Sequence, residues 1–247
     1  MSRFDRALGI GRSLLTYHAI PFRQRRLRAL YRGFLRQGDL VFDVGAHAGS
    51  RVRAFVALGC RVVAVEPQPD FVRLLEWLFR GSSDVHVVAA ALATREGRMT
   101  LAIADRTPTV STMAPGWQDA RSAEPDFASV RWNRQIDVRT TTLDALIGLY
   151  GVPALIKIDV EGGEPGVLAG LTRPVATISF EYLVHALDGV EACVVRLSAL
   201  GDYRFNWSPG ESSRLASADW VDGRHLIDAL SHETGQRHGD VYASLRR

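Results

Sequence analysis

At 247 residues, with 47% hydrophobic and 23% charged side chains and a formal charge of +3, the chain has the size and balance of one large α/β domain. No apolar run reaches the ~18 to 20 residues that cross a bilayer. Arg3, Asp5 and Arg6 interrupt the start, where a secretory signal needs an apolar core. A cytoplasmic protein without stable membrane insertion is therefore expected. Cys60 and Cys193, the two cysteines, lie outside any CxxC or Cys/His cluster, which argues against a disulfide framework or a structural zinc.

In chain order, Arg23, Arg25, Arg26, Arg28, Arg32 and Arg36 surround Leu27, Leu30, Tyr31 and Phe34 at helical spacing, which predicts an amphipathic helix. We take residues 1–37 as a basic helical extension that packs its apolar side on the domain and solvates its arginines. An anionic membrane or nucleic acid would be the alternative partner. No RNA-binding module is legible, so no nucleic acid is expected. Residues 38–247 form the domain proper.

Leu40 to Val44 reads as a strand buried on both faces, followed by the glycine turn Gly45-Ala46-His47-Ala48-Gly49. Ser50 is placed to cap a helix over 51–58, Gly59 ends it, and a second apolar strand runs from Arg61 to Val65. A helix over 70–80 and strands over 85–89, 154–159, 175–182 and 240–245 continue the alternation, with a short helix ending near Gly170 and another over 190–200. Repeated alternation of this kind implies a parallel sheet covered on both faces. Strands over 99–104 and 136–141 are expected to pair around the polar stretch 106–134, a segment whose Trp117 and Trp132 either meet a substrate ring or pack the stretch onto the sheet. The tail from Trp207 to Gly239 shows no clear pattern.

The glycine turn sits at the carboxyl edge of the sheet, where open α/β sheets bind ligands. Gly45 and Gly49 let the backbone bend and approach a ligand closely. Their spacing is GxxxG, with His47 where a dinucleotide fingerprint has its middle glycine, and this disfavours NAD. Asp43 before the turn suits a cationic amino-acid group better than a pyrophosphate. Glu66, which closes the second strand ~20 residues on, can accept both hydroxyls of an adenosine ribose, a requirement that NAD shares with S-adenosylmethionine.

Val41-Phe42-Asp43-Val44-Gly45-Ala46, Val65-Glu66-Pro67-Gln68-Pro69, Thr142-Leu143-Asp144 and Lys157-Ile158-Asp159-Val160-Glu161-Gly162-Gly163-Glu164 stand in this order, the last followed by Val167-Leu168-Ala169-Gly170. Over residues 38–181 this series resembles the FkbM family of methyltransferases. The resemblance implies a class I, Rossmann-like methyltransferase fold and S-adenosylmethionine as methyl donor. It further implies O-methylation of a hydroxyl, often on a sugar or secondary metabolite, with cofactor contacts at Asp43, Gly45 and Glu66. Two departures stand out: Ala46-His47-Ala48-Gly49 replaces the more usual Ala-Asn-Ile-Gly, and Gly163 replaces a usual alanine. With the resemblance, the expected architecture is a mostly parallel seven-stranded sheet, helices on both faces, and an added hairpin with its insertion at the acceptor site.

All but Lys157 of the 30 lysines and arginines are arginine, which marks a position where a compact ammonium is needed and a planar guanidinium does not fit. If the strand runs on through Glu161, then Lys157, Asp159 and Glu161 share one face. Methyl transfer to a hydroxyl needs positioning and a proton acceptor. Asp159, Glu161 and Glu164 are the candidates, with Lys157 holding Asp159 ionised, or else paired with it as structural support. His185 after the fifth strand and His47 are further candidate bases, and Glu181 a candidate for binding substrate hydroxyls. Asp43, Gly45, His47, Gly49, Glu66 and Pro67 form the expected cofactor set. No metal-ligand motif is assigned, and Mg2+ enters only as an alternative held by the three neighbouring acids. The expected acceptor is a carbohydrate or other small molecule. The rival readings are an N- or RNA-directed methyltransferase and a non-catalytic S-adenosylmethionine-binding protein.

Overall fold

A computed structural model describes residues 8–9, 11–13, 22–114, 116–122, 124, 127 and 129–246. The elements in chain order are α1 (Arg23–Tyr31), β1 (Leu40–Val44), α2 (Ser50–Val56), β2 (Arg61–Val65), α3 (Pro69–Leu78), β3 (Val85–Val88), β4 (Ala91–Leu92), β5 (Gly97–Ile103) and α4 (Trp117–Ser122). They continue with β6 (Arg134–Thr141), α5 (Leu143–Tyr150), β7 (Leu155–Ile158), α6 (Glu164–Ala169), β8 (Thr177–Leu183), α7 (Leu187–Leu200), β9 (Tyr203–Pro209), α8 (Gly223–Ser231) and β10 (His238–Leu245).

The main sheet has seven strands in the order β3-β2-β1-β7-β8-β10-β9. Its neighbours pair in parallel from β3 to β8, whereas β10 runs antiparallel to both β8 and β9. The strands are apolar because both faces are covered. On one face Phe42, Ile156, Ile158 and Phe180 pack against α5, α6, α7 and α8. On the other Val41, Val62, Ala64 and Leu155 pack against Leu27 and Tyr31 of α1, Val52 and Phe55 of α2, and Leu75 of α3. The N-terminal helix thus contributes to a main core, and Arg23 is buried and paired with Glu211 at 2.9 Å. Burial of a large apolar side chain is worth ~1.5 to 3 kcal/mol, so Tyr31 and Leu27 fix α1 firmly in place. Cys60 and Cys193 are buried free thiols.

The expected hairpin is present: β5 and β6 pair antiparallel and, with β4 parallel to β6, form a second sheet of three strands. The intervening segment is stitched to the main sheet. Gln68 donates to the Pro108 carbonyl at 3.2 Å and the Thr112 hydroxyl donates to the Glu161 carbonyl at 2.7 Å, while Arg134 grips Asp105 at 2.9 Å across the base of the hairpin.

Several sequence expectations need correction. Ser50 is the first residue of α2 and not its cap; Gly49, in the left-handed region at φ 74°, is the N-cap, and Ser50 instead accepts from Gln24 of α1 through both its carbonyl and hydroxyl. β9, which the sequence reading did not assign, starts before the patternless tail and ends in it, and α8 lies wholly within the tail. Asp222 caps α8 by accepting from the His225 amide at 2.9 Å, a start signal ahead of the apolar series Leu226, Ile227, Leu230. Thr142 caps α5 in the same way, through the Ala145 amide. Among the described residues, no helix is long and apolar enough to cross a membrane.

Candidate functional site

At the carboxyl edge of β1, β2 and β7 lies a cavity of about 430 Å3, within the range of small-molecule sites. All six residues of the expected cofactor set except Gly49 line it; Gly49 lies one position outside, at the start of α2. Gly45 has φ 81°, and a Cβ there would meet the Asp159 carbonyl oxygen at 1.8 Å. Only glycine lets the turn pass so close to the end of β7.

Glu66 is almost fully buried, and its two carboxylate oxygens are shared between the backbone amides of His47 at 2.9 Å and Gln68 at 2.8 Å. It therefore ties the glycine turn to the loop after β2. Burial pushes its carboxyl up to about 7, against the pull of those two amides. His47 adopts φ 46° and lays its ring on Phe71 at a centroid distance of 3.9 Å. Burial lowers its pKa to about 4, so the ring is neutral in the physiological range. Asp43 is also buried, its Oδ2 has no hydrogen-bond partner, and burial raises its carboxyl to about 6.

Asp43 stands in register with Lys157, Lys157 with Ser179, and Ser179 with Tyr242. A row of buried polar side chains thus crosses the centre of an otherwise apolar sheet. The Lys157 ammonium is fully buried and donates to the Ile158 carbonyl at 2.9 Å; it lies 2.8 Å from Asp240 and 3.5 Å from Asp159. Arg51, in the first turn of α2, reaches the same two acids at 3.1 Å (Asp159) and 3.2 Å (Asp240). Burial opposes the charge on Lys157, but Asp159 and Asp240 outweigh it and raise its pKa. Sequence reasoning missed Arg51 and Asp240. An arginine in the first turn of a helix, where the dipole disfavours cations, was a signal for the first. Nothing local marked the second, which is brought in by the antiparallel return of β10.

β7 stops at Ile158, so strand alternation does not extend through Glu161 as the shared-face expectation required. The chain turns instead: Glu161 has φ 56° and Gly162 φ 88°, and a Cβ on Gly162 would strike the Trp117 ring. The turn still gathers acids. Carboxylate oxygens of Asp159, Glu161 and Glu181 lie within 4.8 Å of one another. The fourth acid, Glu164, is not in this group. It accepts from the Val160 amide at 3.0 Å and so braces the turn. Burial raises Glu161 and Glu181 well above the usual carboxylate range, and neighbouring acids push both further.

Asp159, Glu161, Arg51 and Thr109 also line a second cavity, of about 380 Å3, together with Glu181, His185 and residues of β10. His185 is exposed at its mouth. Of the two tryptophans, Trp117 packs on Gly162 and carries Arg121 over its ring at 4.8 Å. Trp132 donates to the Val110 carbonyl at 2.8 Å and stacks on Phe127. Both fasten the insertion.

The strand order, the single reversed strand and the glycine turn opposite an acid at the end of β2 define a class I methyltransferase fold. The methyltransferase FkbM domain matches residues 43–235, and the chain belongs to this family of S-adenosylmethionine-dependent methyltransferases. It is 25% identical over 154 residues to the hexuronic acid methyltransferase AglP of Haloferax volcanii, a match that covers 61% of this chain and 57% of that protein. Among solved structures it is similar to the precorrin-6Y C5,15-methyltransferase of Geobacter metallireducens, with 14% identity, TM-score 0.46, and coverage of 90% of this chain and 86% of that one. An O-methyltransferase from Bacillus cereus, solved with S-adenosylhomocysteine, gives 10% identity, TM-score 0.47, and coverage of 100% and 92%.

Proposed function

We propose that the chain transfers a methyl group from S-adenosylmethionine to a hydroxyl of a sugar or another small metabolite. The observation that carries this reading is the acidic wall of Asp159 and Glu161, shared between the cavity at the glycine turn and its neighbour. The hexuronic acid named for the similar Haloferax protein agrees with a carbohydrate acceptor.

The cofactor fits the first cavity. Asp43 offers to an ammonium a buried oxygen that has no partner among the described residues, and Glu66 offers the remaining lone pairs of its carboxylate to a ribose. Gly45 lets the turn lie close along the cavity, Gly49 is closed off behind it by Leu75 and Phe79, and His47 and Pro67 wall the ligand. When bound, S-adenosylmethionine supplies an electrophilic methyl group on a sulfonium.

The protein's part is then to orient the acceptor hydroxyl and to take its proton. The oxygen gains the methyl, and the proton passes to a carboxylate of the Asp159, Glu161 and Glu181 group; burial and the neighbouring acids favour the protonated form of Glu161 and Glu181, which leaves Asp159 as the acceptor. His185 is the alternative acceptor, at the mouth of the second cavity. Lys157 does not line either cavity; it acts from beneath, 3.5 Å from Asp159, and orients it.

Calorimetric titration tests the cofactor assignment. S-adenosylmethionine and S-adenosylhomocysteine are expected to bind, NAD is not, and Glu66→Ala should weaken binding by about ten- to a hundredfold, as loss of hydrogen bonds to a charged group does. Binding of NAD alone would overturn the assignment. Mass-spectrometric assay of hydroxylated sugars, uronic acids included, against amine and RNA acceptors then tests the O-directed reading.

A further inference from the structure

Asp240 lies on β10, outside every sequence block that carries the family resemblance, yet it closes a ring of four charges. Lys157 bridges Asp240 at 2.8 Å and Asp159 at 3.5 Å, and Arg51 bridges Asp159 at 3.1 Å and Asp240 at 3.2 Å. The ring is neutral, and its members come from β7 (Lys157), the residue after it (Asp159), β10 (Asp240) and α2 (Arg51). Asp240 holds the nearer contact to the ammonium, and both cations keep it ionised: burial works against its charge, but Lys157 and Arg51 outweigh burial and bring its carboxyl down to about 2.

We propose that Asp240 and Arg51 are positioning residues, a counter-ion pair that fixes the orientation and charge of Asp159 and thereby sets the basicity of the acid group it shares with Glu161 and Glu181. This rests on the methyltransferase reading of the site. Asp159 is the one member of the ring that belongs also to that acid group. Were Asp240 absent, both cations would have Asp159 as their sole carboxylate partner in the ring, and the acids of the wall would feel one negative charge fewer. Were Arg51 absent, they would feel one positive charge fewer. Coulomb interaction in a buried site transmits either change strongly.

Other titratable groups face the acid group: Arg121 of α4 acts on Glu161, and Arg121, Glu124, His185, Glu211, Arg237 and His238 line the second cavity with it. Asp43 of β1 and His47 of the glycine turn face Asp159 across the first cavity, Glu164 of α6 sits behind the turn, and Glu181 stands beside Asp159 on β8. Tyr31 of α1, buried with its hydroxyl among Arg51, Asp240, Lys157 and Asp43, covers the ring from the helical side and adds no charge at neutral pH.

Because two neutralising substitutions remove charges of opposite sign, they distinguish this role from mere structural support. Carboxyl carbon NMR of 13C-labelled protein, titrated with saturating S-adenosylhomocysteine, reads the wall directly and needs no acceptor. Asp240→Asn should lower the apparent titration midpoints of the acid group by half a unit or more, about a threefold change in proton affinity, and Arg51→Gln should raise them. Asp240→Glu should restore the wild-type profile. Once an acceptor is known, the acidic limb of kcat should shift in the same two directions, with cofactor KM changed by less than about threefold in Asp240→Asn. If one variant fails to fold, the sign of the other still decides. Midpoints that stay fixed, or shift in one direction for both variants, overturn the proposal. Midpoints that shift as expected in a protein that methylates nothing would leave the ring standing and remove the methyltransferase reading instead.

Discussion

Glu66 performs two tasks with one carboxylate. It orders the glycine turn by accepting from the His47 and Gln68 amides, and it faces the cavity that a ribose would fill. With its carboxyl raised to about 7 by burial, the free protein holds a mixture of acid and carboxylate near neutrality, whereas a ribose diol donates best to the ionised form. Affinity for S-adenosylhomocysteine should therefore rise between pH 6 and 8 and binding should release protons, visible in calorimetry as a heat that depends on the buffer's ionisation enthalpy; a buffer-independent heat would contradict this. At the reacting end, Asp159→Asn should lower turnover by about a hundredfold or more while S-adenosylhomocysteine still binds, and near-normal turnover would remove Asp159 from the mechanism. Gly45→Ala is expected to fail differently. With a Cβ at 1.8 Å from the Asp159 carbonyl and φ at 81°, it must displace the end of β7, so both cofactor binding and stability should fall, the latter by about 2 kcal/mol or more.

At the level of elements, the insertion between β5 and β6 and the helix α1 approach the site from opposite sides. The insertion is held by a few contacts, chiefly Trp117 on Gly162, Thr112 on the Glu161 carbonyl and Arg134 on Asp105. Trp117→Ala should loosen that segment without unfolding the sheet. Hydrogen exchange should quicken over 104–133 and remain slow in β1 and β7; uniform acceleration throughout would show that the insertion is part of the global unit. The helix α1 is fastened otherwise, by burial of Leu27 and Tyr31 in the main core and by Gln24 on Ser50. Its amphipathic pattern was legible in the sequence. Its place over the charge ring was not, because a hydrophobic stripe specifies that a face is buried and leaves the partner open.

Across the whole molecule, buried acids give stability a definite pH dependence. The carboxyls of Asp43, Glu66 and Glu164 are raised to about 6, 7 and 7, and those of Glu161 and Glu181 are raised further, all chiefly by burial. A carboxyl with a raised folded pKa binds more protons folded than unfolded, so stability falls as pH rises above the unfolded value. His47, lowered to about 4, has the opposite trend only below its unfolded value near 6.5. Asp240, lowered to about 2, contributes stability at any pH above its unfolded value and loses it as pH falls towards 2. The ligand-free protein should accordingly lose thermal stability between pH 6.5 and 8, and saturating S-adenosylhomocysteine should flatten the decline by favouring ionised Glu66. A Tm that climbs over that window would contradict the burial of these acids.

The strands up to β8 other than β4, the glycine turn, the acid after β2 and the hairpin were all readable from local pattern, because each is fixed by residues close in sequence: apolar strands, glycines where the backbone must bend, carboxylates at strand ends. The lone lysine was also legible as an exception. What local pattern could not supply was the company that lysine keeps. Asp240 and Arg51 meet it because β10 returns antiparallel beside β8 and α2 lies across β1 and β7. The turn at Glu161 likewise replaced an extrapolated strand, since Gly162 had to admit Trp117 from the insertion. Charges distant in sequence acquire their energies only when packing removes water from between them, and so the sequence by itself determined the glycine turn and the acid after β2, while the tertiary structure alone decided which charges gather beside them.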